Sequence, residues 1–184
     1  MYFCIVIKSK KMSNNKFTIN DAMYQTLGGN DEYKTPEYVV KAILEFIPKD
    51  KIIWCPFDEE DSNFVKILLQ NGYNVVFSHI KYGEDFFKFE PKNWDIIVSN
   101  PPYTNKKAFF ERAFQLGKPF MLLMTAQWIN DAAPVDLYLK YGKDLQLIHF
   151  RNRIHFIGGD RKTPFKSLFY CCDILDKNNI LINL

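Results

Sequence analysis

Soft metal ligands are scarce in this chain, with three histidines and four cysteines among 184 residues. Cys4, Cys55, Cys171 and Cys172 form no CxxC pair, so their spacing excludes the common zinc frameworks. Adjacent Cys171 and Cys172 are awkwardly placed for a disulfide, and buried reduced thiols in an intracellular protein are expected. Long apolar runs are missing too. Met1 to Ile7 is too short to span a bilayer, and Lys8, Lys10 and Lys11 follow it, where a secretory signal has its cations in front. No membrane association and a cytoplasmic location are the expectation. Nor does one charge dominate: a net charge of +3 permits nucleic-acid binding without arguing for it. No repeat or low-complexity tract occurs.

What is present is apolar and aromatic, at 47% and 16%, enough for a folded core. The length suits one domain. Residues 31–184 are read as that domain. Residues 1–30 are read as a polar, partly flexible extension, with 1–11 either non-native or ahead of the true start. Glu37 to Ile47 has apolar residues at helical spacing, with Thr35 as N-cap and Pro36 at the first helical position. Lys51 to Cys55 reads as a strand, Asn63 to Gln70 as a helix closed by Asn71-Gly72, and Asn74 to Ser78 as a second strand. Strand, helix, strand in that space is a right-handed crossover. Further on, Asn105–Phe114 and Asp136–Tyr141 read as helices, Phe120–Met124 and Leu145–Phe150 as strands. Ser167–Cys172 and Ile180–Ile182 are expected to close the chain as an antiparallel hairpin.

The most informative stretch is Asp95-Ile96-Ile97-Val98-Ser99-Asn100-Pro101-Pro102-Tyr103. Its apolar, mostly β-branched run reads as a buried strand of a parallel sheet. Two prolines, lacking N–H donors, end it. Asn100, standing before a proline, is driven toward extended backbone. The strand thus delivers an amide, free carbonyls and an aromatic ring at its carboxyl end, where open α/β sheets bind ligands. A planar exocyclic amine is a poor nucleophile because its lone pair is delocalised into the ring. The Asn100 side-chain oxygen and the Pro101 carbonyl can each accept one of its N–H groups, Pro102 stiffens the loop, and Tyr103 can stack on the ring. A base held this way is flipped out or single-stranded.

Asn-Pro-Pro-Tyr after a strand resembles the catalytic motif of the S-adenosylmethionine-dependent DNA adenine-N6 methyltransferases, and RNA adenine and protein glutamine enzymes share it. The resemblance spans roughly residues 31–170. It implies an α/β, Rossmann-like class I methyltransferase sheet, mostly parallel with the C-terminal antiparallel hairpin. S-adenosylmethionine is the implied cofactor, and Asn100, Pro101, Pro102 and Tyr103 the implied catalytic residues. Tyr33, Thr35 and Pro36 resemble the segment contacting the cofactor's methionine end. Pro56 and Phe57 match an Asp-Pro-Phe-x-Gly-x-Gly loop, with Asp58 as its next residue, but Cys55 replaces the Asp and Glu59 and Asp61 replace the glycines. Asp85 and Phe86 resemble the element that meets the adenine. The second strand ends in Ser78-His79 where an acid for the ribose belongs.

Arg151, Arg153, His155, Arg161 and Lys162 form the one concentrated basic region, and Lys106 and Lys107 follow the motif closely. Lys106, Lys107, Arg151, Arg153 and Arg161 are candidate contacts to nucleic acid, with DNA the expected partner. The small domain leaves room for a protein partner in target recognition. Two readings stand: an adenine methyltransferase acting on DNA or RNA, and an inactive scaffold that binds nucleic acid or a protein, its cofactor loop having drifted to Asp-Glu-Glu-Asp.

Overall fold

The computed structural model describes residues 34–158 and 165–184. Seven strands form one sheet: β1 (Ile52–Cys55), β2 (Asn74–Phe77), β3 (Ile96–Ser99), β4 (Phe120–Thr125), β5 (Gln146–Phe150), β6 (Ser167–Cys172) and β7 (Asn179–Ile182). Their spatial order is β2-β1-β3-β4-β6-β5-β7. Four ladders are parallel and two antiparallel, because β6 alone runs against its neighbours β4 and β5. Among the described residues four α-helices flank the sheet: α1 (Glu37–Ile43), α2 (Asn63–Gln70), α3 (Lys106–Gln115) and α4 (Ala132–Tyr141).

Side chains alternate across a strand, so each strand feeds two cores. Ile53, Cys55, Ile96, Val98, Met121 and Leu123 point to the face covered by Val39, Val40 and Ile43 of α1 and Phe64, Val65 and Leu68 of α2. Trp54, Ile97, Phe120, Leu122 and Met124 point to the other face, beneath Phe110 and Phe114 of α3 and Leu137 and Tyr138 of α4. Strands buried on both faces read as continuous apolar runs, which is why β3 and β4 stand out in the sequence. The amphipathic helix α2 is capped at its start, where Ser62 Oγ accepts from the Val65 N–H at 3.2 Å.

The α/β class and mostly parallel sheet agree with expectation, but three details differ. Thr35 is not an N-cap: α1 begins at Glu37, Pro36 takes the capping position in extended backbone, and the last turn tightens to a 3-10 segment, Leu44–Phe46. Second, α4 begins at Ala132, four residues before the expected start, since Pro134 is tolerated in a first turn. Third, β6 and β7 are not a hairpin. β5 lies between them, antiparallel to β6 and parallel to β7. Gln146 at the start of β5 explains the detour. Its side-chain oxygen accepts from Ile174 N and Leu175 N, each at 3.1 Å, and its amide donates to Leu175 O at 2.7 Å. That clamp carries the chain past β5 before β7 begins. Cys55, Cys171 and Cys172 are buried free thiols as expected, and Cys4 lies outside the described residues. Among the described residues no helix is long and apolar enough to cross a membrane.

Ile53 is fully buried at the centre of β1, whereas Leu181 on the edge strand β7 is 82% exposed. Ile53→Ala should cost about 2–5 kcal/mol and Leu181→Ala no more than about 0.5 kcal/mol. Urea denaturation of the two variants checks the contrast.

Candidate active site

The connection leaving β1 passes through α2 on one face, and that leaving β3 passes through α3 on the other. Neighbouring strands whose connections part in opposite directions leave a crevice beyond their carboxyl ends. A cavity of about 510 Å³ lies there, in the size range of small-molecule sites. The loop after β1 contributes Pro56, Phe57, Asp58, Glu59 and Asp61, and the loop after β3 contributes Asn100 and Pro102. Thr35 forms part of its wall, His79 comes from the end of β2, and Asp85, Phe86 and Phe87 come from the segment leading to β3.

The Asn100 side-chain oxygen is buried and accepts no hydrogen bond among the described residues. A buried acceptor without a donor costs about 1–3 kcal/mol, and Arg112 Nε is the other buried side-chain atom with no partner among the described residues. Pro101 is buried behind it. Tyr103 turns toward β6, where its ring lies 5.8 Å from that of Phe165 and its hydroxyl is 3.4 Å from Ser167 Oγ. Asn100 and Pro102 therefore face the cavity, while Pro101 and Tyr103 flank it from outside its lining.

Asp58 ties the two loops together: its carboxylate accepts from Ser99 Oγ at 2.5 Å, across from β3. Burial pushes its pKa up from 3.8 to about 6, against the lowering effect of hydrogen bonds from Ser99 and Ser62. Burial likewise pushes the Cys55 thiol up, and the Asp58 charge adds to this, so the residue standing for the expected Asp is a neutral thiol. The two acids at the expected glycine positions are both occupied. Asp61 pairs with Lys34 at 2.5 Å, and Glu59 accepts from Lys81 Nζ at 2.7 Å and the Tyr82 hydroxyl at 3.0 Å.

One wall is aromatic. Phe86 is buried, 4.9 Å from Phe57 and 5.4 Å from Trp54 between ring centroids. Phe87 stacks on Phe109 of α3 at 5.0 Å. Asp85 Oδ1 accepts from the Phe87 N–H at 3.0 Å and lies at the foot of this wall. Ser78, by contrast, is turned inward, where its oxygen accepts from the Trp54 indole at 3.0 Å. Pro36 is buried and outside the cavity lining.

The basic loop is fastened to the rim. Ile157 and Lys34 exchange two backbone hydrogen bonds, at 2.9 and 3.2 Å, and the Tyr38 hydroxyl accepts from His155 N at 3.1 Å. Arg151 and Arg153 are exposed on that loop, with Arg151 donating to Asn183 Oδ1 at 3.1 Å. Lys106 and Lys107 open α3, whose first turn holds no acid. Tyr33 and Arg161 lie outside the described residues.

No family model matches the sequence, and no curated protein does. The structure is similar to that of a Listeria monocytogenes protein assigned as a class I S-adenosylmethionine-dependent methyltransferase, with a TM-score of 0.53 and 13% identity over 90% of this chain and 71% of that one. The fold is that of the class I methyltransferases. Weaker likenesses are a Vibrio vulnificus YJ016 protein assigned as a modification subunit of a type I restriction enzyme (TM-score 0.49, 12% identity, 90% of this chain and 49% of that one) and a Plasmodium falciparum dimethyladenosine transferase (TM-score 0.46, 14% identity, 76% and 62%). The chain thus spans about half the length of the Vibrio subunit and under two thirds of the Plasmodium enzyme.

Within this fold, sequence reasoning missed Lys34, Asn63, Ser99 and Phe109. Ser99 carried a readable signal, a polar residue closing an apolar strand. Asn63 binds Thr35 O at 2.8 Å and Lys34 reaches the cavity through the bridge to Ile157, contacts between distant segments that no local pattern announces.

Asp58 yields a pH prediction. Its folded pKa is raised, so its favourable contribution is complete below about pH 4 and is lost as pH rises through about 6. Asp58→Asn should therefore match the wild type in stability near pH 4 and exceed it by about 2–3 kcal/mol above pH 7. Thermal melts across that range check the sign.

Proposed function

We propose that the protein transfers a methyl group from S-adenosylmethionine to the N6 amine of adenine in DNA. The observation that carries this reading is the buried Asn100 oxygen, without a donor among the described residues, on a residue that lines the cavity in the sequence Asn-Pro-Pro-Tyr. In this reading it accepts one N–H of an exocyclic amine and the Pro101 carbonyl accepts the other. Two such acceptors favour the amine form whose lone pair is localised, hence nucleophilic. Pro102 fixes the loop, and Tyr103, already packed on Phe165, offers its ring for stacking. Catalysis on this account is positioning and electrostatics.

The cavity fits the cofactor. Its lining carries five carboxylates, Asp58, Glu59, Asp61, Glu84 and Asp85, against Lys34 and His79. That surplus suits a molecule bearing an ammonium and a sulfonium, and the Phe57-Phe86-Phe87 wall suits an adenine. In this reading Asp85 takes the adenine amine and Thr35 and Asp58 take the methionine end; all three line the cavity. When bound, the cofactor supplies an electrophilic methyl group.

Lys106, Lys107, Arg151 and Arg153 supply cations near the Tyr103 side and the rim for a phosphate backbone. Glu59 and Asp61 themselves favour the second reading, a scaffold that binds without turnover, because acidic side chains where the resemblance expects glycines add bulk and charge beside the cofactor.

Incubation with methyl-labelled S-adenosylmethionine and adenine-containing DNA should give labelled N6-methyladenine, and Asn100→Ala should slow this by about 10²–10³-fold. Label in RNA alone would move the substrate. No label in any nucleic acid, from folded protein that binds the cofactor, would leave the scaffold reading.

A further inference from the structure

We propose that Glu59 holds the ribose diol of the adenosyl ligand, replacing from the β1 loop the acid that β2 lacks. The proposal rests on reading the cavity as an S-adenosylmethionine site. In a doubly wound sheet the ribose of an adenosyl ligand lies beyond the second strand, where a carboxylate takes its hydroxyls. Here that strand runs into Ser78 and His79, and Ser78 is committed to Trp54 in the core.

Glu59 reaches the same place by another route. It belongs to the loop after β1, yet its carboxylate is gripped by Lys81 and Tyr82 of the 3-10 turn that follows β2. That turn is itself rigid. Gly83 ends it in the left-handed region, at φ 81°, donating to Ile80 O at 2.9 Å, and Tyr82 N donates to His79 O at 2.9 Å.

Both grips fall on Oε2. Oε1 accepts no hydrogen bond among the described residues, and Glu59 lines the cavity beside His79 and Ile80. The hydrogen bond from Lys81, then that from Tyr82, holds the carboxyl below its usual range, so it is ionised at neutral pH. With its charge already matched by one ammonium, the remaining oxygen is better suited to neutral hydroxyl donors than to a second cation. Of the other acids of the lining, Asp58 serves Ser99, Asp61 serves Lys34, and Asp85 lies at the aromatic wall; Glu84 follows the turn but makes no hydrogen bond to it among the described residues, whereas Glu59 is fixed to it twice. The departure from glycine at position 59 thus has a purpose.

The test is competition of adenosine, 2′-deoxyadenosine and 3′-deoxyadenosine against S-adenosylhomocysteine on the full chain, followed by calorimetry. The wild type should prefer adenosine to either deoxynucleoside by about tenfold or more. In Glu59→Gln the preference should shrink to about threefold or less while S-adenosylhomocysteine still binds, and Tyr82→Phe should fall between. A wild-type preference near unity, or one unchanged in a folded Glu59→Gln, overturns the assignment and leaves the cofactor reading intact. A folded wild type that binds neither S-adenosylhomocysteine nor adenosine overturns both.

Discussion

The arrangement depends on one constraint: β3 is a central strand that cannot continue. β1 pairs with it as far as Ile97 and β4 as far as Ser99, so it is held from both sides at its centre and from one side at its end. Pro101 and Pro102 then remove the donors a further residue pair would need. The chain must turn out of the sheet at Asn100, beside the point where β1 ends and sends its own loop the other way. The crevice, the outward amide and the meeting of the two loops follow from that stop. The hydrogen bond from Ser99 to Asp58 closes the joint by fixing one loop to the other.

That joint has a cost in stability which a folding argument alone does not explain. Asp58 is buried with hydroxyl donors and no paired cation, and its raised pKa measures the preference of the fold for its neutral form. The Asn100 oxygen is a second cost of the same kind. Two polar groups that cost stability meet at one crevice, which suits a place shaped for a ligand more than for stability.

Much of the fold was legible because the central strands are buried on both faces. Ile96–Ser99 and Phe120–Thr125 advertise themselves as apolar runs, and α2 by its spacing and its Asn71-Gly72 stop. What local pattern does not carry is pairing between distant segments. Ile180, Leu181 and Ile182 show that a strand exists there, but Gln146, more than thirty residues upstream, decides its partner. The site divides the same way. Asn100 and Asp85 are announced by their own neighbours in sequence, whereas the direction of Tyr103 is set by Phe165 and Ser167, and the fate of Glu59 by Lys81 and Tyr82. Glu59 and Asp61, which stand where the resemblance expects glycines, are each paired with a lysine in the folded chain.

The central claim is that this crevice is a cofactor site. Calorimetric titration of the full chain with S-adenosylmethionine at neutral pH tests it most directly. The account predicts one site of micromolar affinity, lost in Asp85→Ala. Absence of heat at high concentrations of both, from protein whose spectrum shows it folded, would contradict it.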